Sequence, residues 1–319
     1  MNELLASLVI PPFDFRTVFM EPWTRWADAT VWMLLMAVLL ALPCAILGNY
    51  LLLRRMALAG DAISHSVLPG LVVSYLIFRD LGTVPMMAGA MVAGLVTTVL
   101  IEFITQRSRL KSDAATGITY TTLFALGMFL VNRYAGKVHL DADCVLFGEL
   151  EYVPLAEPTR WVWGSLGAVP VPVAVGALLA VGTLGLLWAA SRWLLVTSFD
   201  AGFAKAAGLP TGAVHYGLMA LLSVVVVVAL EGVGLLVVAL LVLPGATAQF
   251  FADGMRRLHA WAAVFGVTAC VAGIHLGAWL NCPSSAAIAL AGGVQFGLAW
   301  GVSAAAARLR KWSPASGQA

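Results

Sequence analysis

Apolar runs of about 20 residues, the length a helix needs to cross the hydrocarbon of a bilayer, follow one another almost without pause between positions 29 and 306. A water-soluble fold cannot cover so many of them. Nine candidate spans result: 29–53, 57–78, 84–105, 113–132, 170–195, 212–230, 233–251, 258–280 and 285–306. The stretch 212–251 is split at Glu231-Gly232, because one helix of that length would be about twice too long. Eight spans result if one candidate is re-entrant or broken. Composition agrees, with 61% hydrophobic and 11% charged residues and a mean hydropathy of +0.94. A soluble domain is nearer half apolar and a quarter charged. The expected fold class is all-α, a polytopic membrane helical bundle of 8–9 transmembrane helices.

The few charges set its direction. Arg54/Arg55, Arg107/Arg109/Lys111, Arg192/Lys205, Arg256/Arg257 and Arg308/Arg310/Lys311 fall at alternate loops and at the C-terminal end. The positive-inside rule places all five groups on the cytoplasmic side. Residues 1–28 then form an extracytoplasmic or interfacial segment, 29–306 the transmembrane domain and 307–319 a cytoplasmic tail. The 133–160 loop lies outside. MNELLASLVI lacks the basic start and cleavage site of a signal peptide, so insertion is expected to rely on the spans themselves. A net charge of +2 without a basic stripe argues against nucleic acid. Cys44, Cys144, Cys270 and Cys282 form no CxxC pair and read as small buried hydrophobes. Neither GxxxxGK[ST] nor HExxH occurs, which excludes a phosphate-binding loop and the simplest intramembrane metalloprotease.

Against this background GDAISHSVLPG, Gly60 to Gly70, stands out. On a helix Asp61 and His65 share one face, one turn apart. A carboxylate and an imidazole so placed can grip a divalent transition metal such as Zn, Mn or Fe. Pro69 has no N–H, which deprives the carbonyl of His65 of its helical donor, and Gly70 allows another backbone to approach. The alternative is that Asp61 caps the helix while His65 bonds a neighbouring one. Ionisable groups inside spans cost about 2.5–3.5 kcal/mol each unless paired, which favours a functional reading. A second VLPG at 242–245 puts Pro244 and Gly245 in a later span, and paired interruptions of this kind can mark a transport path.

Other polar groups carry less. His215 reads as structural at a helix start, and His275 as a helix–helix hydrogen bond. Glu231 reads as a solvated turn residue and His259 as cytoplasmic surface. In VHLDADC, His139, Asp141 and Asp143 alternate, so an extended strand would align them to attract cations at the outer mouth. A solvated loop is the alternative.

The segment LRRMALAGDAISHSVLPG (53–70) resembles the most recognisable stretch of the ABC-3 family, the permease subunits of ABC importers for manganese, zinc and iron. HLDADCVLFGEL (139–150), FDAGFAKAAGLP (199–210) and GLLVVALLVLPGATAQFFAD (234–253) match further stretches in order, and NCPSSAAIAL (281–290) matches more weakly. Asn281 and Cys282 depart from the family's usual aspartate and Pro-Ser-Gly run.

The resemblance implies an ABC importer permease fold in the inner (plasma) membrane of a bacterial cell, surrounded by lipid and paired with a second copy or a paralogue. It implies a cytoplasmic ABC ATPase that hydrolyses ATP, and an extracytoplasmic metal-binding protein that delivers the ion. The chain itself would be a non-catalytic transport subunit with no permanently bound cofactor, carrying Mn2+, Zn2+ or Fe2+. Asp61 and His65 match positions thought to hold the ion in transit. Phe199, Asp200, Lys205 and Gly208 fall in the segment expected to couple to the ATPase. Protonation of His65 would compete with metal, so transport is expected to fall as pH drops through the imidazole range, near about 6.5 if unperturbed. The rival is an ATP-independent secondary transporter with Asp61–His65 as a proton relay.

Overall fold

The computed structural model describes residues 11–80, 82–135, 150–162, 168–234 and 236–312, and helices dominate it. In chain order the principal helices are α1 (Ala27–Leu53), α2 (Ala59–Ser66), α3 (Leu68–Phe78), α4 (Thr83–Arg107), α5 (Ser112–Leu130), α6 (Val171–Phe199), α7 (Ala201–Ala206), α8 (Thr211–Val233), α9 (Leu236–Ala248), α10 (Met255–Leu280) and α11 (Ser284–Trp312). Two short turns, Arg16–Met20 and Glu21–Thr24, precede α1.

Among the described residues, eight helices are long and apolar enough to cross a membrane, with α2 and α3 together forming one of them, Ala59–Phe78. The expected span 233–251 needs correcting. Its helix, α9, has only 13 residues, about 20 Å of rise against a hydrocarbon core of about 30 Å. It lies inside the bundle against α1, α10 and α11, with Leu236, Val237, Leu240 and Leu241 buried. A helix sheathed by protein need not match the thickness of the lipid. The alternation of sides survives, because α9 runs alongside α1 in the same direction: Leu241 lies against Gly48, and Gly245 against Asn49 and Leu52.

α1 is the central post. Ala37, Leu40, Ala41, Cys44, Ala45 and Leu47 have no exposed surface, and α6, α9 and α10 pack around them. Ala37, Ala41 and Ala45 recur every fourth residue, a small-residue seam of the kind that lets membrane helices approach closely. Gly266 of α10 faces Ala41 and Ala45 across it. Further out the surface is apolar: Leu178, Val181 and Trp188 on α6 are 72–81% exposed. That distribution suits a lipid surround.

Two features were absent from the sequence pattern. β1 (Pro158–Val162) and β2 (Ala168–Pro170) pair antiparallel, with Pro158 opposite Pro170, and lead directly into α6. The last helix also continues past 306 to Trp312. At the opposite end of the chain, the turns before α1 pack on α10. There His275 Nδ1–H donates to the Val18 carbonyl (2.9 Å) and Trp279 Nε1–H to the Pro11 carbonyl (3.0 Å). His275 therefore bonds another helical element, the short Arg16–Met20 helix of the N-terminal segment.

Candidate functional site

The second span is broken where its proline stands. α2 ends at Ser66, Val67 intervenes, and α3 starts at Leu68 with Pro69 in its first turn. Proline is tolerated there because the early N–H groups of a helix have no internal partner. A short polar chain braces the break: Thr97 Oγ1 on α4 donates to Ser66 Oγ (2.6 Å), which donates to the Ala62 carbonyl (2.6 Å). Side-chain hydroxyls commonly serve interrupted membrane helices in this way.

Close packing fixes the same turn from two sides. A Cβ on Gly70 would overlap the Gly89 carbonyl of α4 and lie 2.6 Å from Ala93 Cβ, so α3 and α4 touch backbone to backbone. A Cβ on Gly127 of α5 would lie 2.9 Å from Pro69 Cδ.

Asp61 and His65 emerge on the α5 side of α2. His65 Nε2 approaches Asp61 Oδ1 to 3.4 Å, with the side chains 29% and 34% exposed respectively. The imidazole lies 5.9 Å from the Tyr120 ring and 6.0 Å, edge-on, from Phe124. Zinc bonds nitrogen and carboxylate oxygen at about 2.0–2.2 Å, so two such donors on a tetrahedral ion stand roughly 3.4 Å apart. The observed 3.4 Å spacing therefore matches that bite. The pair could supply two ligands from one helical turn, with room on its open side. Among the described residues no group of three His, Cys, Asp or Glu side chains gathers around an ion-sized space.

The remaining sequence-selected residues do not join this pair. Pro244 and Gly245 lie in the interior helix α9, where a Cβ on Gly245 would lie 2.6 Å from Asn49 Oδ1 and 2.9 Å from Leu52 Cδ1. His139, Asp141 and Asp143 lie outside the described residues. Phe199, Asp200 and Gly208 flank α7, a short helix on the loop between α6 and α8, and Lys205 lies within it. Asp200 Oδ1 caps it by accepting from the Phe203 N–H (2.8 Å). Gly208, at φ +78°, closes it, with its N–H donating to the Lys205 carbonyl and that of Leu209 to Ala204. Phe199 and Phe203 are more than 60% exposed there.

Two polar clusters had no clear sequence signal. Asn49 Nδ2 donates to His259 Nδ1 (3.0 Å), whose ring lies 5.2 Å from that of Tyr50. His259 is thus a half-buried α1–α10 contact, which corrects its reading as surface. The second cluster joins His215 to Glu102 at 2.9 Å. Glu102 falls inside an apolar run, and that alone could have marked it. Beside it, burial lowers the pKa of Arg54, nearby Tyr50 opposes the shift, and the guanidinium stays cationic.

The ABC 3 transport family matches residues 27–300. The chain belongs to the ABC 3 transport family. It is 38% identical over 265 residues to the manganese transport system membrane protein MntC of Halalkalibacterium halodurans, covering 83% of this chain and 84% of that protein. It is 35% identical over 272 residues to the zinc transport system membrane protein TroD of Treponema pallidum, covering 85% and 73%. The solved structure of PsaBC from Streptococcus pneumoniae in complex with Fab shares its fold at a TM-score of 0.71 and 32% identity, over 88% of this chain and 94% of that one. Family membership and the eight apolar helices together make this a multi-pass membrane protein.

Proposed function

We propose that the chain is the permease subunit of an ATP-driven importer that moves a divalent transition metal, Mn2+, Zn2+ or Fe2+, across a bacterial inner membrane. An extracytoplasmic binding protein hands over the ion, and a separate cytoplasmic ATPase supplies the work. The observation that carries the reading is the Asp61–His65 pair, whose 3.4 Å spacing on a braced helical break suits one metal ion as cargo. Relatives named for manganese and zinc transport support the same substrate class. The permease itself makes and breaks no covalent bond. Asp61 supplies charge and oxygen, His65 supplies a neutral imidazole nitrogen, and Pro69 deprives the His65 carbonyl of its helical N–H donor.

Two donors from one protomer also suit a cargo site. An ion held by few ligands can leave, which transport requires. The exposed α7, with Phe199 and Phe203 on its surface, is the part proposed to meet the ATPase.

The test uses the assembled importer in proteoliposomes with radioactive Mn2+, Zn2+ and Fe2+ in competition. Asp61→Ala and His65→Ala are each expected to abolish uptake while expression and ATPase association persist. Near-normal uptake in both variants would sink the site assignment. Proton-driven uptake by the permease without ATP would favour the secondary-transporter reading.

A further inference from the structure

One side chain ties both ends of the α7 loop to the turn that leads into the Asp61–His65 helix. Arg54 Nε donates to Ser198 Oγ (3.0 Å), Nη2 to Thr197 Oγ1 (2.8 Å) and Nη1 to His215 Nδ1 (3.4 Å). Thr197 and Ser198 form the last turn of α6, directly before Phe199 and Asp200, and His215 stands near the start of α8, directly after the loop. Arg54 itself closes α1, two turns of chain ahead of Asp61.

The chemistry fixes the direction of this chain. A guanidinium only donates, so His215 Nδ1 must accept and its proton sits on Nε2. That Nε2–H donates to Glu102 Oε2 (2.9 Å), while Glu102 Oε1 accepts from Gln106 Nε2 (2.6 Å). The linkage thus runs from α4 through α8 and the end of α1 to α6, along an open cavity of about 540 Å³. A carboxylate beside an imidazole also suggests a second metal site. Here both imidazole nitrogens are committed, and a fixed cation lies 3.4 Å from one of them, which opposes a divalent ion.

The turn beyond Arg54 is stiff. Arg55 N–H donates to the Leu52 carbonyl (3.0 Å) and Met56 N–H to that of Leu51 (2.9 Å), with Arg55 at φ +58°. This double closure is a Schellman motif, which ties the end of α1 to the turn before α2 by two hydrogen bonds.

We propose that Arg54 is a positioning residue for transport, linking movement of the 199–210 segment to the α1–α2 turn and so to Asp61 and His65. Glu102 takes part by holding His215 in the tautomer that accepts from Arg54. The planar fork of arginine reaches three acceptors on two helices, which the single ammonium of lysine cannot reproduce. The inference rests on the reading of 199–210 as the ATPase contact.

The experiment measures basal ATP hydrolysis, its stimulation by metal-loaded binding protein, and metal uptake in the assembled importer. Arg54→Gln and Arg54→Lys should assemble and keep basal hydrolysis within about twofold, yet lose stimulation and uptake by about tenfold, the scale of losing charge-assisted bonds. His215→Gln, whose amide can accept from Arg54 and donate to Glu102, should stay within about threefold of wild type. His215→Leu should behave like Arg54→Gln. Full stimulation in Arg54→Gln, or equal losses of basal and stimulated hydrolysis, would overturn the proposal. The link itself is read without transport, by a double-mutant cycle of Arg54→Gln and Thr197→Val on the apparent melting temperature of the complex. Non-additive shifts are expected, and strictly additive ones would also overturn it. Full stimulation in Phe203→Asp would strike at the 199–210 contact instead, so the two failures are distinguishable.

Discussion

Replacing Gly70 by alanine should separate two helices that now touch. The new Cβ would lie 2.6 Å from Ala93 Cβ and overlap the Gly89 carbonyl, whereas carbon atoms rest at about 3.5–4.0 Å. The interface must therefore open by roughly 1 Å, and because backbone opposes the methyl, no rotamer change relieves it. Overpacking of this kind costs about 3 kcal/mol, offset by about 1 kcal/mol of helix propensity gained over glycine. The net is about 2 kcal/mol of destabilisation. At roughly 2–4 °C per kcal/mol, the apparent melting temperature should fall by about 4–8 °C. Gly117→Ala on α5 is the control, since its Cβ would meet nothing within 4 Å. Propensity alone should then raise stability by up to about 1 kcal/mol. Heating detergent-solubilised protein and measuring the surviving monodisperse fraction checks both signs. Because Gly70 adjoins the proposed ligand turn, uptake should fall further than the folded fraction does. Equal melting temperatures for Gly70→Ala and wild type would refute the backbone-contact argument.

Three further substitutions have defined outcomes. Arg55 sits at φ +58°, where a non-glycine residue is strained by about 1 kcal/mol, so Arg55→Gly should raise the apparent melting temperature by a few degrees. A decrease would show that its side chain outweighs the strain. Asp200→Ala removes the cap of α7 at a cost of about 1 kcal/mol. Hydrogen exchange at 201–206 should quicken about fivefold, and unchanged protection would argue against the cap. Thr97→Val deletes one bond at the helical break, which in membrane bundles is worth about 0.6 kcal/mol. Its melting shift should be correspondingly small, and a loss as large as that of Gly70→Ala would mean that the polar chain, not the packing, holds the break.

The long spans were legible because a helix in lipid must satisfy its own backbone and present apolar side chains over a fixed length. That signal misjudged α9, since Leu236–Ala248 is clothed by α1, α10 and α11 and needs no lipid-matched length. The Asp61–His65 pair was legible because i and i+4 are neighbours on any helix. The Glu102–His215 contact was not, because a pairing across 113 positions leaves no local period. Arg54 counted only as a cytoplasmic charge in the sequence, and only the structure shows that Thr197, Ser198 and His215 receive its bonds. For His259 the neighbouring arginines misled: α10 already begins at Met255, so this ring is one turn in and faces Tyr50.

The two VLPG stretches show how far four letters determine a site. Both place proline and glycine in an apolar helix, yet at Pro69 the helix divides, while α9 continues through Pro244. The difference lies in what meets them. At the first, Thr97 and Ser66 brace the break and α4 touches Gly70, while His65 lies towards Tyr120 and Phe124 of α5. At the second, Gly245 faces the side chain of Asn49 in the interior, and no ionisable residue stands four positions before the proline. The first leaves two ionisable side chains partly exposed, and the second serves packing. On the proposed reading, an ion entering the Asp61–His65 pair must replace the contact between them. Each partner thus compensates the other, which lowers the cost of leaving two ionisable groups in a membrane span and, on that proposed reading, tempers the affinity for an ion that displaces them.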